Sequence, residues 1–232
     1  ESTQATFRTW VKRRAQGEPL AYVLGTQEFW SLAFWVSPAV LIPRPETELL
    51  VEQALQVLDP TRSYWAADLG TGSGAIACAL AHERPQLRLV AVDRSRAALD
   101  VARRNVHALN LSKQIQLQRA NWCAGLAPKA FDLLVANPPY VAIADPDLDP
   151  AVARFEPADA LFAGPEGLSA LQTLIATAPV YLKAQGWLML EHGYQQATQV
   201  AELLNAHQFT GIECVKDNQG HERLTRAMWK GG

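Results

Sequence analysis

The sequence has few cysteines, and their positions suit neither a disulfide framework nor a zinc site. Only three occur among the 232 residues, at Cys78, Cys123 and Cys214, far apart and outside any CxxC spacing. Such scattered thiols are typical of reduced core residues in a cytoplasmic protein. The five histidines are scattered too, and none stands at ligand spacing from a cysteine or a second histidine. We therefore expect no metal site and a cytoplasmic location.

Long apolar runs and an excess of charge of one sign are absent as well. No apolar stretch approaches the roughly 20 residues that cross a bilayer, and no signal-peptide pattern opens the chain. The formal net charge is −2, whereas proteins that bind duplex nucleic acid usually have a strong basic bias. This balance disfavours nucleic acid as a partner, although a local basic patch would suffice. The first residue is Glu1 rather than Met, so we expect a trimmed start.

A regular alternation of strands and helices begins after Pro60. Short apolar runs bounded by turn residues predict seven strands, at residues 64–69, 87–92, 115–119, 131–136, 186–191, 209–215 and 224–229. Helical spacing of apolar residues is found between most of them, at residues 75–82, 95–109, 168–183 and 195–207. Ser95 is the expected N-cap of the second of these helices. Such units predict an α/β fold with a doubly wound, mostly parallel seven-stranded sheet.

Four segments differ from this alternation. Residues 1–17 have helical character, and the aromatic-rich residues 28–41 predict a β-hairpin or an extended connector. A helix is predicted at residues 47–58. Residues 141–167 are rich in Pro, Asp and Ala and form a stretch longer than an ordinary loop. Connections of that length usually have a function, so we expect one here.

A glycine-rich loop follows the first strand of the alternating region. It consists of Gly70, Thr71, Gly72, Ser73 and Gly74. Glycine lets the backbone approach a ligand closely, and Asp93, about 20 residues further along at the end of the next strand, suits a ribose diol. The pair predicts a nucleoside-type cofactor but not which one, because a dinucleotide fingerprint fits as well. A tight turn with a salt-bridged aspartate is the alternative.

The tetrapeptide after the fourth strand is the most informative motif in the chain. It consists of Asn137, Pro138, Pro139 and Tyr140. The Asn137 side-chain oxygen and the Pro138 carbonyl can each accept one N–H, and the two prolines stiffen the backbone. Tyr140 can lie flat against a bound group. We interpret the motif as a clamp for a planar group that carries NH2; a plain strand-ending turn is the alternative.

A clamp with two acceptors helps to choose between cofactors. Hydride transfer has no need of it, whereas a methyltransferase acting on an NH2 group does. An amide or aromatic amine nitrogen is a poor nucleophile because its lone pair is delocalised. Two acceptors placed out of the plane would favour a pyramidal nitrogen that attacks the sulfonium methyl of S-adenosylmethionine in line. No Ser–His–Asp or Cys–His arrangement in the sequence indicates another chemistry.

Two further residues near the same sheet edge each have two interpretations. Asp68, just before the glycine loop, would either face the ammonium group of the cofactor or be a solvated or N–H-bonded carboxylate. Trp122, after the third strand, would either stack on adenine or belong to the core. The glycine loop, Asp93, Trp122 and Asn137 all follow predicted strands. In a doubly wound sheet these positions converge on one edge.

Several stretches together resemble one known family. The most specific is Leu41-Ile42-Pro43-Arg44-Pro45-Glu46-Thr47-Glu48, with Asp68 to Gly74 and Asn137 to Tyr140 as the cofactor and substrate motifs. Further matches are Arg13-Arg14, Gly17-Glu18-Pro19, Ala21-Tyr22, Gly25, Glu28-Phe29, Arg154-Phe155-Glu156-Pro157, Glu191-His192-Gly193 and the spacing of Asp217, Gly220 and Arg223. Over nearly its whole length the chain resembles the release-factor glutamine methyltransferases, bacterial enzymes that methylate a glutamine side chain in peptide chain release factors.

The resemblance implies a Rossmann-like methyltransferase fold, S-adenosylmethionine as cofactor and release factors as protein substrate. The acceptor would be the N5 nitrogen of the glutamine in a Gly-Gly-Gln loop. By matched position, the cofactor would contact Gly70, Thr71, Gly72, Ser73, Gly74, Asp93, Trp122 and Asn137. Asn137, Pro138 and Tyr140 would be catalytic, and Asn137, Pro138, Pro139 and Tyr140 would bind the glutamine. Arg44, Glu46 and Thr47 would shape the cofactor pocket.

The resemblance also divides the chain and shows two departures. Residues 1–17 would be the C-terminal remnant of an N-terminal helical domain, residues 18–43 a β-hairpin connector and residues 44–232 the methyltransferase domain. The family's N-terminal domain is larger, so part of the contact surface for the release factor would be missing. Asn121 stands where the family often has an acidic residue near adenine, although an amide oxygen can also accept.

Two other functions remain open at this point. An amino-methyltransferase of adenine or guanine in nucleic acid would use the same clamp, with a flipped base and a basic path toward Tyr140. The balanced charge and residues 43–48 favour the glutamine instead. A module that senses the cofactor or binds a release factor without chemistry is disfavoured by the intact clamp. We expect a monomer with no membrane partner and no direct nucleic-acid substrate.

Overall fold

A seven-stranded sheet with helices on both faces makes up most of the protein. The computed structural model describes residues 2–231. The strands are β1 Thr26–Phe29, β2 Leu32–Trp35, β3 Trp65–Leu69, β4 Arg88–Asp93, β5 Ile115–Arg119, β6 Phe131–Ala136, β7 Leu182–Glu191, β8 Phe209–Lys216 and β9 Glu222–Trp229. The α-helices are α1 Ser2–Ala15, α2 Leu20–Leu24, α3 Glu48–Val57, α4 Ala75–Glu83, α5 Arg96–Ala108, α6 Pro150–Phe155, α7 Ser169–Tyr181 and α8 Ala197–Ala206. Short 3-10 turns cover Pro45–Thr47 and Ala158–Ala160.

The strand order of the large sheet is β5-β4-β3-β6-β7-β9-β8. Neighbours from β5 to β7 pair in parallel, whereas β9 is antiparallel to both β7 and β8. After β5 the chain returns to the other side of β3 with β6, so the order reverses between these two strands. The predicted doubly wound, mostly parallel sheet is confirmed. The reversal marks the place where sheets of this kind bind ligands.

Alternate residues of the central strands supply two separate cores. Ala66 of β3 and Leu133 of β6 pack with α3 and α4 on one face of the sheet. Their neighbours Ala67 and Leu134 pack with α7 and α8 on the other face. Because both faces are covered, β6 reads in the sequence as one nearly continuous apolar run rather than an alternating one.

The hairpin of β1 and β2 forms a separate small sheet that packs against the large domain. Trp30 and Ser31 at its tip have φ values of 54° and 56°, as a two-residue hairpin turn requires. Trp35 at the end of β2 exchanges two hydrogen bonds with the Asn105 side chain of α5, at 2.8 and 2.9 Å. The hairpin is thereby fixed to the sheet domain by paired polar contacts as well as by its buried aromatic side chains.

The structure differs from the sequence prediction at some element boundaries. The helix expected at residues 168–183 ends at Tyr181, and β7 starts directly after it. Pro179 lies in the last turn of this helix and lacks the N–H that would continue its hydrogen-bond pattern. The short helices α2 and α6 were not predicted, because five or six residues are too few to show a helical period.

Cys78 and Cys123 are buried as free thiols, and burial raises the pKa of both. Among residues 2–231 no group of three or more His, Cys, Asp or Glu side chains is placed to hold a metal ion. The same residues include no helix with the length and apolar character needed to cross a membrane.

Candidate active site

A cavity of ≈ 620 Å³ opens at the carboxyl ends of β3, β4, β5 and β6. Ligand sites in proteins typically occupy about 300–1,000 Å³. The predicted site residues that line it are Gly70, Thr71, Gly72, Ser73, Asp93, Trp122, Asn137 and Pro139. Arg44 and Thr47 line it too, as does Asn121. The predicted cofactor loop and the predicted acceptor clamp therefore share one cavity at the reversal of strand order.

The glycine loop has a conformation that other residues adopt only with strain. Gly70 and Gly72 have φ values of +81° and +54°, in the left-handed region that glycine tolerates best. A side chain at Gly70 would begin 3.1 Å from the Trp122 ring. One at Gly72 would meet no described atom within 4 Å, so this edge of the loop is open toward the cavity. A ligand can therefore lie directly on the backbone here.

Asp93 connects the glycine loop to the start of α5. Its Oδ2 accepts from the Gly72 N–H at 3.0 Å, and its Oδ1 accepts from the Ser95 N–H at 2.8 Å. Each carboxylate oxygen can accept a further hydrogen bond, so a diol remains a suitable partner. Ser95 caps α5, as the sequence indicated, since its Oγ accepts from the Ala98 N–H at 3.2 Å.

Of the two environments predicted for Asp68, the structure shows the second, in which the carboxylate accepts from a backbone N–H. It is fully buried and accepts from the Thr71 hydroxyl at 2.6 Å and from the Ala77 N–H at 3.2 Å. Burial raises the pKa of this carboxyl to about 7, partly offset by those two hydrogen bonds. The side chain supports the loop from below and is not among the residues that line the cavity.

Trp122 has a strained backbone and an edge in the cavity. Its φ is 51°, and its ring packs against Gly70. The ring is half-buried and packs at the margin of the core formed with α7 and α8, and it also lines the cavity. Both predicted interpretations, core packing and adenine stacking, are compatible with this placement.

The clamp motif lies at the tip of β6, and its members differ in exposure to the cavity. Asn137 and Pro139 line the cavity. Pro138 is buried, and Tyr140 packs against the core formed with α7 and α8. The Asn137 Nδ2 donates to Thr47 Oγ1 at 3.0 Å. The Tyr140 hydroxyl donates to Glu191 Oε1 at 3.3 Å. The resemblance implied only that Thr47 would shape the cofactor pocket, and Glu191 appeared only as part of a family-like stretch.

Sequence reasoning missed Gln196, which fixes the backbone at the end of the motif. Its Nε2 donates to the Tyr140 carbonyl at 3.1 Å, while its Oε1 accepts from the Gly193 N–H at 2.9 Å. Gly167 lies against the same carbonyl with a φ of +72°. The sequence offered one signal for this contact, the glycine at the end of residues 141–167. The backbone at the end of the motif is therefore held by Gly167 and Gln196, which lie far from it in the sequence.

Gly167→Ala is expected to lower the free energy of unfolding by about 2–4 kcal/mol. An added methyl group would overlap the Tyr140 carbonyl, and the left-handed backbone would be strained as well. Gly164 is a matched control, because its φ is +80° but an added methyl would meet only the Ser169 side chain, at 3.7 Å. Gly164→Ala should cost about 1 kcal/mol in urea denaturation. Equal losses for the two variants would contradict the predicted steric role of Gly167.

The long segment at residues 141–167 is tied down by a buried carboxylate. Glu156 follows α6, and its side chain is 1% exposed. It accepts from Arg44 Nη2 at 2.5 Å and from the Ile42 N–H at 3.0 Å. Pro157 and the turn Ala158–Ala160 then line the cavity. The Arg44–Glu156 ion pair thus fixes one wall of the site. That residues 141–167 have a function stays a prediction.

Arg44→Ala is expected to lower the free energy of unfolding by about 2 kcal/mol, because it leaves the buried Glu156 carboxylate with only a backbone donor. This expected loss is smaller than that for a fully buried ion pair, because the Arg44 side chain is 31% exposed and solvent screens its charge. Arg94→Ala is the matched control, since the Arg94–Asp159 pair is 57% and 84% exposed. It should change stability by less than about 0.5 kcal/mol in the same denaturation assay. Equal effects would show that the buried pair does not hold the segment.

Comparison with known proteins identifies the family. A family model described as the methyltransferase small domain matches residues 45–161, and the PrmC N-terminal domain matches residues 1–25. The chain is 48% identical to a release factor glutamine methyltransferase of Xylella fastidiosa over 95% of its length and 80% of the relative's. The corresponding Pseudomonas aeruginosa protein is 47% identical over 96% of this chain and 80% of its own length.

The chain belongs to the release factor glutamine methyltransferase family. Solved structures share its fold at low sequence identity. The catalytic domain of hMettl16, crystallised with the MAT2A 3'UTR hairpin 6, has a TM-score of 0.71 at 17% identity over 91% of this chain and 81% of that one. A ribosomal protein L11 methylase from Lactobacillus delbrueckii subsp. bulgaricus has a TM-score of 0.61 at 21% identity over 85% and 84%.

Membership of this family implies S-adenosylmethionine as the cofactor, and the cavity fits it. The open edge at Gly72 leaves room that a side chain would fill. Asp93 retains acceptor capacity for a ribose diol beyond its two backbone contacts. The Trp122 ring offers an aromatic surface at the cavity wall. These features suit a nucleoside with a polar tail, and none of them indicates a metal ligand.

Proposed function

We propose that this protein transfers the methyl group of S-adenosylmethionine to the N5 nitrogen of a glutamine in the Gly-Gly-Gln loop of peptide chain release factors. The observation that carries the proposal is that Asn137 lies in the same cavity as the glycine loop. An acceptor held at Asn137 would therefore lie beside the cofactor. The names of the relatives in Xylella fastidiosa and Pseudomonas aeruginosa support a release-factor glutamine as that acceptor.

The roles of the clamp residues follow from the chemistry of a carboxamide. Its NH2 group offers two hydrogens, and the Asn137 side-chain oxygen and the Pro138 carbonyl offer one acceptor for each. Contacts that pull these hydrogens out of the amide plane localise the nitrogen lone pair. When bound, S-adenosylmethionine supplies the electrophilic methyl group. The chain's own residues contribute position and electrostatics, and none of them forms a covalent intermediate in this proposal.

The N-terminal segments fit a role in substrate contact. We propose a division of the chain into residues 1–17, residues 18–43 and residues 44–232. The match of residues 1–25 to the PrmC N-terminal domain supports a distinct N-terminal segment, although it extends into the second of these ranges. Exposed Phe7 and Val11 on α1 would belong to the helical part. We also propose that the protein acts as a monomer in the cytoplasm, where release factors function, with no nucleic-acid substrate of its own.

A transfer assay tests this proposal. The protein is incubated with methyl-labelled S-adenosylmethionine and one of three substrates: a release factor, the same factor with its loop glutamine replaced, or duplex DNA. We expect label in the intact release factor alone, with peptide mass spectrometry placing one methyl group on the loop glutamine. Label in DNA would favour the base-amine alternative. Equal label in the factor that lacks the glutamine would exclude this residue as the acceptor.

A further inference from the structure

Buried polar side chains from distant parts of the chain lie behind the clamp. Asn137 Nδ2 donates to Thr47 Oγ1 at 3.0 Å across 90 residues of sequence. Tyr140 Oη donates to Glu191 Oε1 at 3.3 Å. Thr47 and Glu191 are 4% and 3% exposed. Glu191, at the end of β7, therefore contacts one member of the motif, and it also interacts with Thr47, which contacts another.

The chemistry of these groups sets the direction of each hydrogen bond. An ionised carboxylate only accepts, so the Tyr140 hydroxyl points its proton toward Glu191. The Thr47 hydroxyl acts on this carboxylate as a donor and opposes the rise in its pKa. Among the described residues, Glu191 Oε2 is buried and has no hydrogen-bond partner, so it is an open acceptor toward which the Thr47 hydroxyl can turn its proton.

This direction decides which end of the Asn137 amide faces the acceptor. Because the Thr47 proton is directed to Glu191, the Thr47 oxygen presents its lone pairs to Asn137 and can only accept from the NH2 end. No described residue donates to the Asn137 oxygen. The amide oxygen is thus the end that remains for the NH2 group of a bound carboxamide.

We propose that Thr47 and Glu191 are positioning residues that hold Asn137 with its side-chain oxygen toward the nitrogen to be methylated. Without them the amide can turn over and present its own NH2, so that one donor would face another. Such an orientation would bind the glutamine poorly in the reactive geometry while leaving the cofactor site intact. The inference rests on the proposed function, because it takes the acceptor to be an NH2 group.

The surroundings of Glu191 make this arrangement sensitive to pH. Burial raises the pKa of the Glu191 carboxyl to about 7, and the neighbouring Glu46 adds to the rise. Hydrogen bonds from Thr47 and Tyr140 and the charge of Arg223 oppose it. Once protonated, Glu191 carries an O–H donor of its own and can donate to the Thr47 oxygen. The Glu191 O–H then competes with the Asn137 NH2 for the lone pairs of the Thr47 oxygen.

Kinetics of two Thr47 variants test the positioning role. Thr47→Val keeps the shape of the side chain but removes the hydroxyl, and we expect kcat to fall about 10- to 100-fold with KM for the release factor changed less than about 3-fold. The dissociation constant for S-adenosylhomocysteine, measured by calorimetry, should also stay within about 3-fold. Thr47→Ser restores the hydroxyl and should recover most of the lost kcat.

A pH profile of Glu191→Gln gives a second readout that a merely structural role would not change. In the wild-type protein kcat should fall as the pH is lowered through about 7, because protonation of Glu191 removes the directed acceptor. The Glu191→Gln variant should lose this acidic limb and show a low, flat profile. Burial lowers the pKa of the adjacent His192, so this histidine stays neutral through most of that range.

The outcomes separate the inference from the function on which it rests. If the wild-type protein methylates the release factor while Thr47→Val keeps its kcat and Glu191→Gln keeps the acidic limb, the positioning role is wrong and the proposed function stands. If Thr47→Val loses cofactor affinity in proportion to kcat, Thr47 is only part of the cofactor pocket wall, and the inference is also wrong. No methyl transfer by the wild-type protein would overturn the proposed function and the inference with it.

Discussion

Asn137→Ala is expected to lower kcat for methyl transfer to the release factor by about 10³-fold, the effect of removing one preorganised polar contact to a reacting group. Its side-chain oxygen is the acceptor that our account places on the nitrogen being methylated. The affinity for S-adenosylmethionine should fall by less than about 10-fold, since the glycine loop and Asp93 are unchanged. Single-turnover kinetics and calorimetry with S-adenosylhomocysteine separate the two quantities.

A matched asparagine serves as control for this variant. Asn205 lies on α8, is exposed and is not among the residues that line the cavity. Asn205→Ala should leave kcat and cofactor affinity unchanged. A kcat for Asn137→Ala within about 10-fold of wild type would show that the clamp does not act on the acceptor. A loss confined to cofactor affinity would place Asn137 in the cofactor site alone.

The second large effect is expected at Asp93, where alanine should raise the dissociation constant for S-adenosylmethionine by about 100-fold. Its two oxygens hold the backbone N–H groups of Gly72 and Ser95 at 3.0 and 2.8 Å. The variant leaves both donors without this acceptor and removes the predicted contact to the ribose diol, and losses of this kind amount to about 1–3 kcal/mol each. At saturating cofactor, kcat should recover to within about 10-fold of wild type.

Asp93→Asn and Asp100→Ala complete this test. The asparagine keeps the size of the side chain, but its NH2 would face one of the two backbone donors, so a smaller loss of about 10-fold is expected. Asp100 on α5 is 59% exposed and pairs with Arg103, so its alanine variant should bind the cofactor like wild type. Unchanged affinity in Asp93→Ala would contradict the assignment of this carboxylate to the cofactor site.

The sheet and its ligand edge could be predicted from local patterns in the sequence. Buried parallel strands such as β6 are recognisable as short apolar runs, and the residues that follow them must meet at one edge. Asp93, Asn137 and the first four residues of the glycine loop were located in this way and line the cavity, whereas Gly74 at the end of the loop does not. The Ser95 cap also depends only on neighbouring residues and was predicted correctly.

Contacts between distant segments could not be predicted in the same way. Arg44 and Glu156 are separated by 112 residues, and Asn137 and Thr47 by 90. Nothing in the local sequence tells which carboxylate a given arginine meets, or that Glu191 lies behind Tyr140. Helix α6 was missed for a related reason. Its Asp149 cap and Pro150 start are helix signals, but its six residues show no periodic apolar face.

The sequence alone also left the type of cofactor and the role of Asp68 open. A glycine loop with a following aspartate suits dinucleotides as well as S-adenosylmethionine, and only the clamp and the family distinguish them. Asp68 had two possible environments that depend on the direction of one side chain. The structure turns it inward to Thr71 and Ala77, where it supports the loop.

The central claim is that two oxygen atoms at the tip of β6 hold the carboxamide of the substrate. A crystal structure with S-adenosylhomocysteine and a Gly-Gly-Gln peptide would test it most directly. We expect the glutamine nitrogen within about 3.2 Å of both the Asn137 side-chain oxygen and the Pro138 carbonyl oxygen, facing the sulfur of the cofactor product. A glutamine bound elsewhere in the cavity, or one whose nitrogen faces the Asn137 NH2, would contradict the account.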